Sequence, residues 1–204
     1  MSYARRFTSK KNKVTLEDGI VVKRHQNHDA LLREASILEH LYQGGLAVPV
    51  ILGLTEDALW LEYVEGPTYV DLVDTLTLAQ AGALGDWLAK YHRLTRCLRG
   101  DCNLRNFLWS KGRCVGVDFE DELEQGEEET DMGKILAFAV TYNPSFTMKK
   151  AHSARLLLQA FGQAGGELGR IKHAYLAEIV AMNQRRNGEA ICLQSAASFF
   201  DELL

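Results

Sequence analysis

The segment Arg99-Gly100-Asp101-Cys102-Asn103-Leu104-Arg105-Asn106 holds residue types suited to one kind of chemistry. An Asp is followed five positions later by an Asn, then by the apolar run Phe107-Leu108-Trp109. Twelve residues past Asn106, the run Cys114-Val115-Gly116-Val117 leads into Asp118-Phe119-Glu120. Asp101 can accept a proton from a hydroxyl nucleophile. Asn106 and Asp118 offer oxygen ligands for Mg²⁺ or Mn²⁺, and hard cations take oxygen. Together these are the working parts of in-line phosphoryl transfer, where positioning and charge stabilisation carry the reaction. Either Asp alone reads equally well as a turn residue. Turn chemistry does not account for the ordered set with strands between its members.

These groups need elements to hold them. Val14-Thr15-Leu16 and Ile20-Val21-Val22-Lys23 are β-branched runs around Asp18-Gly19, a hairpin signal. Asp29 is a candidate helix cap, followed by Leu31, Leu32, Ala35, Leu38 and Leu41 at helical spacing, and Gly44-Gly45 ends that helix. Residues 48–54 carry Pro49 and suggest an edge strand; 58–64 suggest another. Beyond Pro67 the texture is helical: 78–94, 132–141, 151–161, 171–183 and 190–203. The expectation is an α+β, bilobal chain. A sheet-rich small lobe spans 1–64, a hinge 65–67, and a helical lobe 68–204.

On these motifs the sequence resembles the protein-kinase-like superfamily, and its aminoglycoside phosphotransferase branch most of all. Gly100-Asp101 to Asn106 resembles the His-Gly-Asp-x-x-x-x-Asn loop of that branch, and Asp118-Phe119-Glu120 its metal motif. Gly126 to Asp131 resembles a segment whose final Asp braces the catalytic loop, and Leu88 to His92 the helix leading into it. The resemblance implies ATP as phosphate donor. It implies that Lys23 contacts the α- and β-phosphates and that Glu34, eleven residues on, pairs with Lys23. It makes 61–66 the hinge, with the Glu62 carbonyl and Val64 amide against adenine and Leu61 as gatekeeper. Arg105 sits where the tyrosine-kinase branch also has Arg; it neutralises the γ-phosphate or is a surface Arg. His92 reads as a packed structural histidine, and Cys102 as a small buried spacer rather than a redox switch.

The sequence departs from the pattern in three places. Arg99 stands in place of the usual His, so the packing behind the loop must differ. No Gly-rich loop is recognisable, which leaves Thr8 to Asn12, with Lys10 and Lys11 as point charges, to cover the phosphates. Only 35 residues separate Gly66 from Asp101, so the chain approaches minimal kinases of the RIO and KEOPS type in size. The motifs point to a small-molecule acceptor of the aminoglycoside or choline type. The length favours a protein serine or threonine, and we lean to the protein. A nucleotide-binding pseudokinase is the third reading.

Composition narrows the remaining classes. The chain has 204 residues, 47% hydrophobic and 25% charged, with a formal net charge of −4, which excludes disorder and collagen and argues against nucleic-acid binding. No apolar run approaches a membrane span. None of the four cysteines forms a Cys-x-x-Cys pair, as expected of reduced thiols in a cytoplasmic protein. Eight acidic residues lie between Glu120 and Asp131. Because this run starts beside Asp118, it is expected to border the acceptor site, with Glu120 and Asp121 attracting an amine-bearing molecule or a basic protein segment, while Glu127 to Glu129 read as solvated and Asp131 as structural.

Overall fold

Asp18 and Gly19 both take positive φ, 48° and 81°, the tight hairpin geometry that Asp-Gly favours. They join β2 (Lys13–Glu17) to β3 (Ile20–Arg24) in the computed structural model, which describes residues 5–7, 12–185 and 190–204. With β1 (Arg5–Phe7), β4 (Ile51–Leu54) and β5 (Ala58–Glu62) they form an antiparallel sheet in the order β1-β2-β3-β5-β4. β1 therefore pairs antiparallel with β2, and β4 is an edge strand, with Pro49 just ahead of it. Side chains alternate between the two faces of a strand. Val21 and Lys23 thus share a face, and register sets Leu61 opposite Val21 and Val14 opposite Lys23.

Helix α1 (His28–Gln43) crosses this sheet, and Asn27 rather than Asp29 is its cap. The Asn27 side chain accepts from the Ala30 amide at 3.1 Å, and Asp29 lies inside the first turn. Its buried stripe is Leu31, Glu34, Ala35, Leu38 and Leu41. One carboxylate therefore sits in an otherwise apolar face. Such a break in the pattern marks a position held for something other than packing.

The second part is helical: α2 (Tyr69–Leu72), α3 (Leu78–Thr95), α4 (Glu128–Thr141), α5 (Met148–Gln163), α6 (Leu168–Arg185) and α7 (Leu193–Asp201), with a short hairpin of β6 (Phe107–Ser110) and β7 (Arg113–Gly116). Helix α4 starts at Glu128, one turn earlier than sequence periodicity suggests, because its first turn is acidic rather than apolar. Trp87 ties the two parts together. Its indole donates to the Ala47 carbonyl at 2.8 Å, and its ring meets Tyr91 and Phe107 at centroid distances of 5.5 and 5.3 Å. At Gly66 a side chain is excluded, since a Cβ there would lie 2.2 Å from the Trp109 carbonyl oxygen. No helix among the described residues is long and apolar enough to cross a membrane.

Candidate active site

A cavity of about 320 Å³ lies between the sheet and the helical part. Val14, Val21 and Leu61 line it from the sheet, Glu62, Tyr63 and Val64 from the connecting strand, and Leu108 and Val117 from below. These form two apolar walls, a slot shaped for a flat ring. Lys23, Glu34, Arg105, Asn106 and Asp118 gather at one end of it.

Lys23 is the centre of that end. Its ammonium lies 2.8 Å from Glu34 Oε2 and 3.3 Å from Glu120, and it also pairs with Asp118. Burial works against its charge, but the Glu34 and Asp118 carboxylates outweigh burial and raise its pKa above the ordinary value. Burial likewise opposes ionisation of Glu34. The His25 ring, the Lys23 ammonium and the Phe119 amide prevail and bring its pKa down to about 2. The Phe119 amide donates to Glu34 Oε1 at 3.0 Å, so α1 touches the segment that carries Asp118. Sequence reasoning missed His25. It lies two residues past Lys23, and its side chain is 1% exposed. Its alternation with Lys23 along the strand direction was the available signal. Ligand atoms of His25, Glu34 and Glu120 lie within 4.8 Å of one another, a spacing that suits a metal, but the Lys23 ammonium already contacts both carboxylates.

Asp101 and Asn106 come from one loop. The Asn106 amide nitrogen donates to the Asp101 carbonyl at 3.3 Å, which leaves the Asn106 amide oxygen for a cation. Asp101 is exposed beside the cavity, and its carboxylate accepts from the Asn103 amide at 3.2 Å. Asp118 has φ of +66°, an uncommon conformation for a residue with a side chain. It is 41% exposed at the cavity and holds a cation already, in the form of Lys23. The oxygen donors of Asn106 and Asp118 thus fit a hard divalent ion. Arg105 is exposed and lines the cavity. Lys10 and Lys11 lie outside the described residues.

The loop is braced from behind. Asp131, fully buried in α4, accepts from the Arg99 amide at 2.5 Å, the Gly100 amide at 3.2 Å and the His92 ring at 2.8 Å. Burial opposes the charge on Asp131, but the His92 ring and Arg99 amide overcome it and hold the carboxyl below the ordinary range. Arg99 shows how the packing differs without a histidine. Its guanidinium donates to the Val117 and Asp118 carbonyls at 2.7 and 2.6 Å and lies 4.4 Å over the Phe119 ring. Cys102 is fully buried, and burial raises its thiol pKa well above the ordinary value, so it is an inert spacer.

No protein-family profile matches the chain, and no curated protein matches it. Solved structures do. An aminoglycoside phosphotransferase with ADP bound is 14% identical, with 98% of this chain and 91% of that chain covered and a TM-score of 0.65. A choline/ethanolamine kinase family protein from Mesorhizobium loti is 11% identical, with coverage of 98% and 86% and a TM-score of 0.63. A macrolide 2'-phosphotransferase from Brachybacterium faecium is 17% identical, with coverage of 97% and 91% and a TM-score of 0.61. The fold is the bilobal protein-kinase-like one. Within it, Lys23 sits on the third strand of the sheet, Glu34 on the helix above it, and Asp101, Asn106 and Asp118 on the loops below.

One expectation is corrected here. The acidic run does not spread a field over the acceptor side of the kinase-like cleft. Glu120 turns inward to Lys23 and Asn12. Asp121 lies with Arg33 and His40 behind α1, Glu122 approaches Arg33 at 3.8 Å, and Glu127 pairs with Arg170 at 3.0 Å. Glu129 accepts from the Glu167 amide at 3.1 Å, and Asp131 braces the loop. Charge density along the chain does not reveal which way each carboxylate faces.

Proposed function

We propose that this chain is an ATP-dependent phosphotransferase that moves the γ-phosphate of ATP to a hydroxyl of a small molecule. The observation that carries the reading is the convergence of Lys23, Glu34, Asn106 and Asp118 on one end of a slot whose other end is apolar, with Asp101 beside them. Adenine lies between the apolar walls at Glu62 and Val64, with 65–67 as the hinge between the lobes. Lys23 takes the phosphates, oriented by Glu34. Asn106 and Asp118 would hold Mg²⁺ or Mn²⁺, which would neutralise charge on the phosphates. Asp101 takes the proton as the acceptor oxygen bonds to the γ-phosphorus. The bond from that phosphorus to the bridging oxygen breaks, and ADP leaves. Arg105, at the cavity mouth, balances charge on the phosphoryl group.

The acceptor class rests on similarity. The similar structures are an aminoglycoside phosphotransferase, a macrolide 2'-phosphotransferase and a choline/ethanolamine kinase family protein, names that point to small-molecule acceptors. The chain covers 86–91% of those three structures, which weakens the inference from its short hinge-to-loop stretch to a protein acceptor. A cytoplasmic setting, where ATP is abundant, suits the four unpaired cysteines. The test is transfer from labelled ATP with Mg²⁺ to panels of aminoglycosides, macrolides, amino alcohols and basic proteins, beside Asp101→Asn. Labelled small-molecule product, lost in Asp101→Asn, supports the reading. Label only in protein restores the serine/threonine acceptor, and nucleotide binding without any transfer makes the chain a pseudokinase.

A further inference from the structure

Helix α4 is buried almost all round. From Asp131 onward only Lys134 and Phe138 escape burial, and Tyr142 continues that row just past the helix end. Residues four apart share one face of a helix, and the contacts show what this face looks at. The Lys134 ammonium donates to the Gly100 carbonyl at 3.2 Å, and the Tyr142 hydroxyl donates to Asn103 Oδ1 at 2.8 Å. Gly100 and Asn103 bracket Asp101 in the chain. The one half-buried stripe of α4 therefore runs beside the loop that carries the base. Phe138 and Tyr142 stack along it, with ring centroids 6.4 Å apart.

The charge on this stripe is unmatched. Among the described residues the Gly100 carbonyl is the hydrogen-bond partner of the Lys134 ammonium, and no carboxylate pairs with it. A neutral carbonyl uses one of its three N–H donors and cancels none of its charge. Lys134 also borders a groove between α4 and α6, but the acids of that groove are engaged elsewhere. Glu127 pairs with Arg170, Glu178 pairs with Arg185, and Glu129 accepts from the Glu167 amide. Arg105 adds positive charge near the far end of the stripe. Burial raises the pKa of the Tyr142 hydroxyl to about 12, with the Arg105 charge acting against it. A lysine without an acid is ordinary on an open surface. This one is half-buried on an otherwise apolar helix, one residue from Asp101.

We propose that Lys134 selects the acceptor: its ammonium binds an anionic group, a carboxylate or a phosphate ester, on the molecule whose hydroxyl Asp101 deprotonates. The Phe138–Tyr142 wall lies along the carbon skeleton of that molecule. The anionic group takes the N–H donors that Gly100 leaves over, and such charge-assisted bonds are the strong ones. An amine-bearing acceptor meets a like charge at the same place. The inference rests on the proposed phosphotransferase reading and narrows its acceptor from small molecules in general to acidic ones.

The test uses two sets of hydroxylated probes, each with one skeleton and different charge. One is glucuronate, glucose 6-phosphate, glucosamine and glucose; the other is glycerate, glycerol phosphate, serinol and glycerol. Calorimetry measures their binding to the full chain with Mg·ADP in the nucleotide site, and labelled ATP with Mg²⁺ gives kcat and KM for transfer. The acidic members of at least one set should bind more tightly than the amine and neutral members, and the carboxylate and phosphate arms tell the two anions apart. In Lys134→Met the preference for acid over amine should fall about ten- to hundredfold, the scale of a hydrogen bond to a charged group, and mainly through KM. Lys134→Arg, which keeps the charge, should recover most of it. A residue that only braced Gly100 would weaken every probe alike, so an equal loss across each set overturns the proposal. An amine or neutral probe that binds best, no binding by any acidic probe, or an unchanged preference in Lys134→Met overturns it too. Should Lys134→Met fail to fold, Lys134→Gln, which keeps a donor without the charge, replaces it under the same criterion. Wild type that binds no Mg·ATP overturns the proposed function and this inference together, whereas Mg·ATP binding with a preference for the amine probes overturns this inference alone.

Discussion

Asp101 and Asp118 are both exposed carboxylates within one loop-width of the same cavity, but their settings assign them different work. Asp118 is held from behind by Arg99 through its own carbonyl and has a cation on its carboxylate; Asp101 faces outward beside Asn106. Asp118→Asn should abolish metal-dependent turnover. Asp101→Asn should keep ATP affinity and slow transfer about 10²–10⁴-fold, the usual reach of a general base. Steady-state and single-turnover kinetics on a verified acceptor check both. Glu34 makes a separate prediction about pH. Its folded pKa, about 2, lies below the ordinary 4.5, so the fold prefers the ionised form. The stability this contributes is fully present above the unfolded value and lost as pH falls through the folded one. Melting temperature should therefore decline between about pH 5 and pH 2. Asp131 adds in the same direction. Calorimetry across that range should show a shallower decline in Glu34→Gln.

At the scale of elements, the catalytic loop is an irregular segment fixed by regular ones. Helix α4 supplies Asp131, α3 supplies His92, and the β6–β7 hairpin separates Asn106 from Asp118 by one out-and-back crossing. Removing Asp131 would orphan the Arg99 and Gly100 amides and the His92 ring in a dry interior. Asp131→Ala should cost ~3–5 kcal/mol, which for a chain of this size lowers the melting temperature by roughly 6–20 °C. Asp131→Asn keeps one acceptor and should fall between. Thermal unfolding followed by circular dichroism measures the order of the three.

The whole molecule is two parts that meet at the cavity, so a ligand bridging both should stabilise the chain as a unit. The Mg·ATP complex at 100 times its Kd adds ~2.7 kcal/mol, which corresponds to a rise in melting temperature of roughly 5–11 °C. Lys23→Met should shrink that rise sharply and also lower the unliganded melting temperature, because it removes the phosphate contact and leaves the buried Glu34 carboxylate without its ammonium partner. Thermal shift with ATP, with and without Mg²⁺, separates nucleotide from metal in that response.

Much of the site could be read along the chain because its parts are local. The Asp101–Asn106 spacing is one loop, Lys23 sits on a β-branched strand, and Glu34 interrupts a helical apolar stripe. Hairpin and helix signals are also short-range, so β2, β3, α1, β5, α3, β6 and β7 emerged within two residues of their bounds, while β4 and α4 to α7 differ by three or four residues at one end and β1 and α2 were not among the expected elements. Errors arose where a local choice was near-degenerate. Asn27 and Asp29 are both good caps, and only the chain's entry angle decided for Asn27. Tertiary structure alone settled what depends on direction. The start of the acidic run looked like a field beside Asp118, but folding turned Glu120 in to Lys23 and set Asp121 behind α1. Arg99 and His25 belong to the same class. Arg99 holds the Asp118 carbonyl and His25 faces Glu34; strand alternation puts His25 on the side of Lys23, but only the packing of α1 on the sheet, and of the loop before β6 against the segment after β7, supplies the partner.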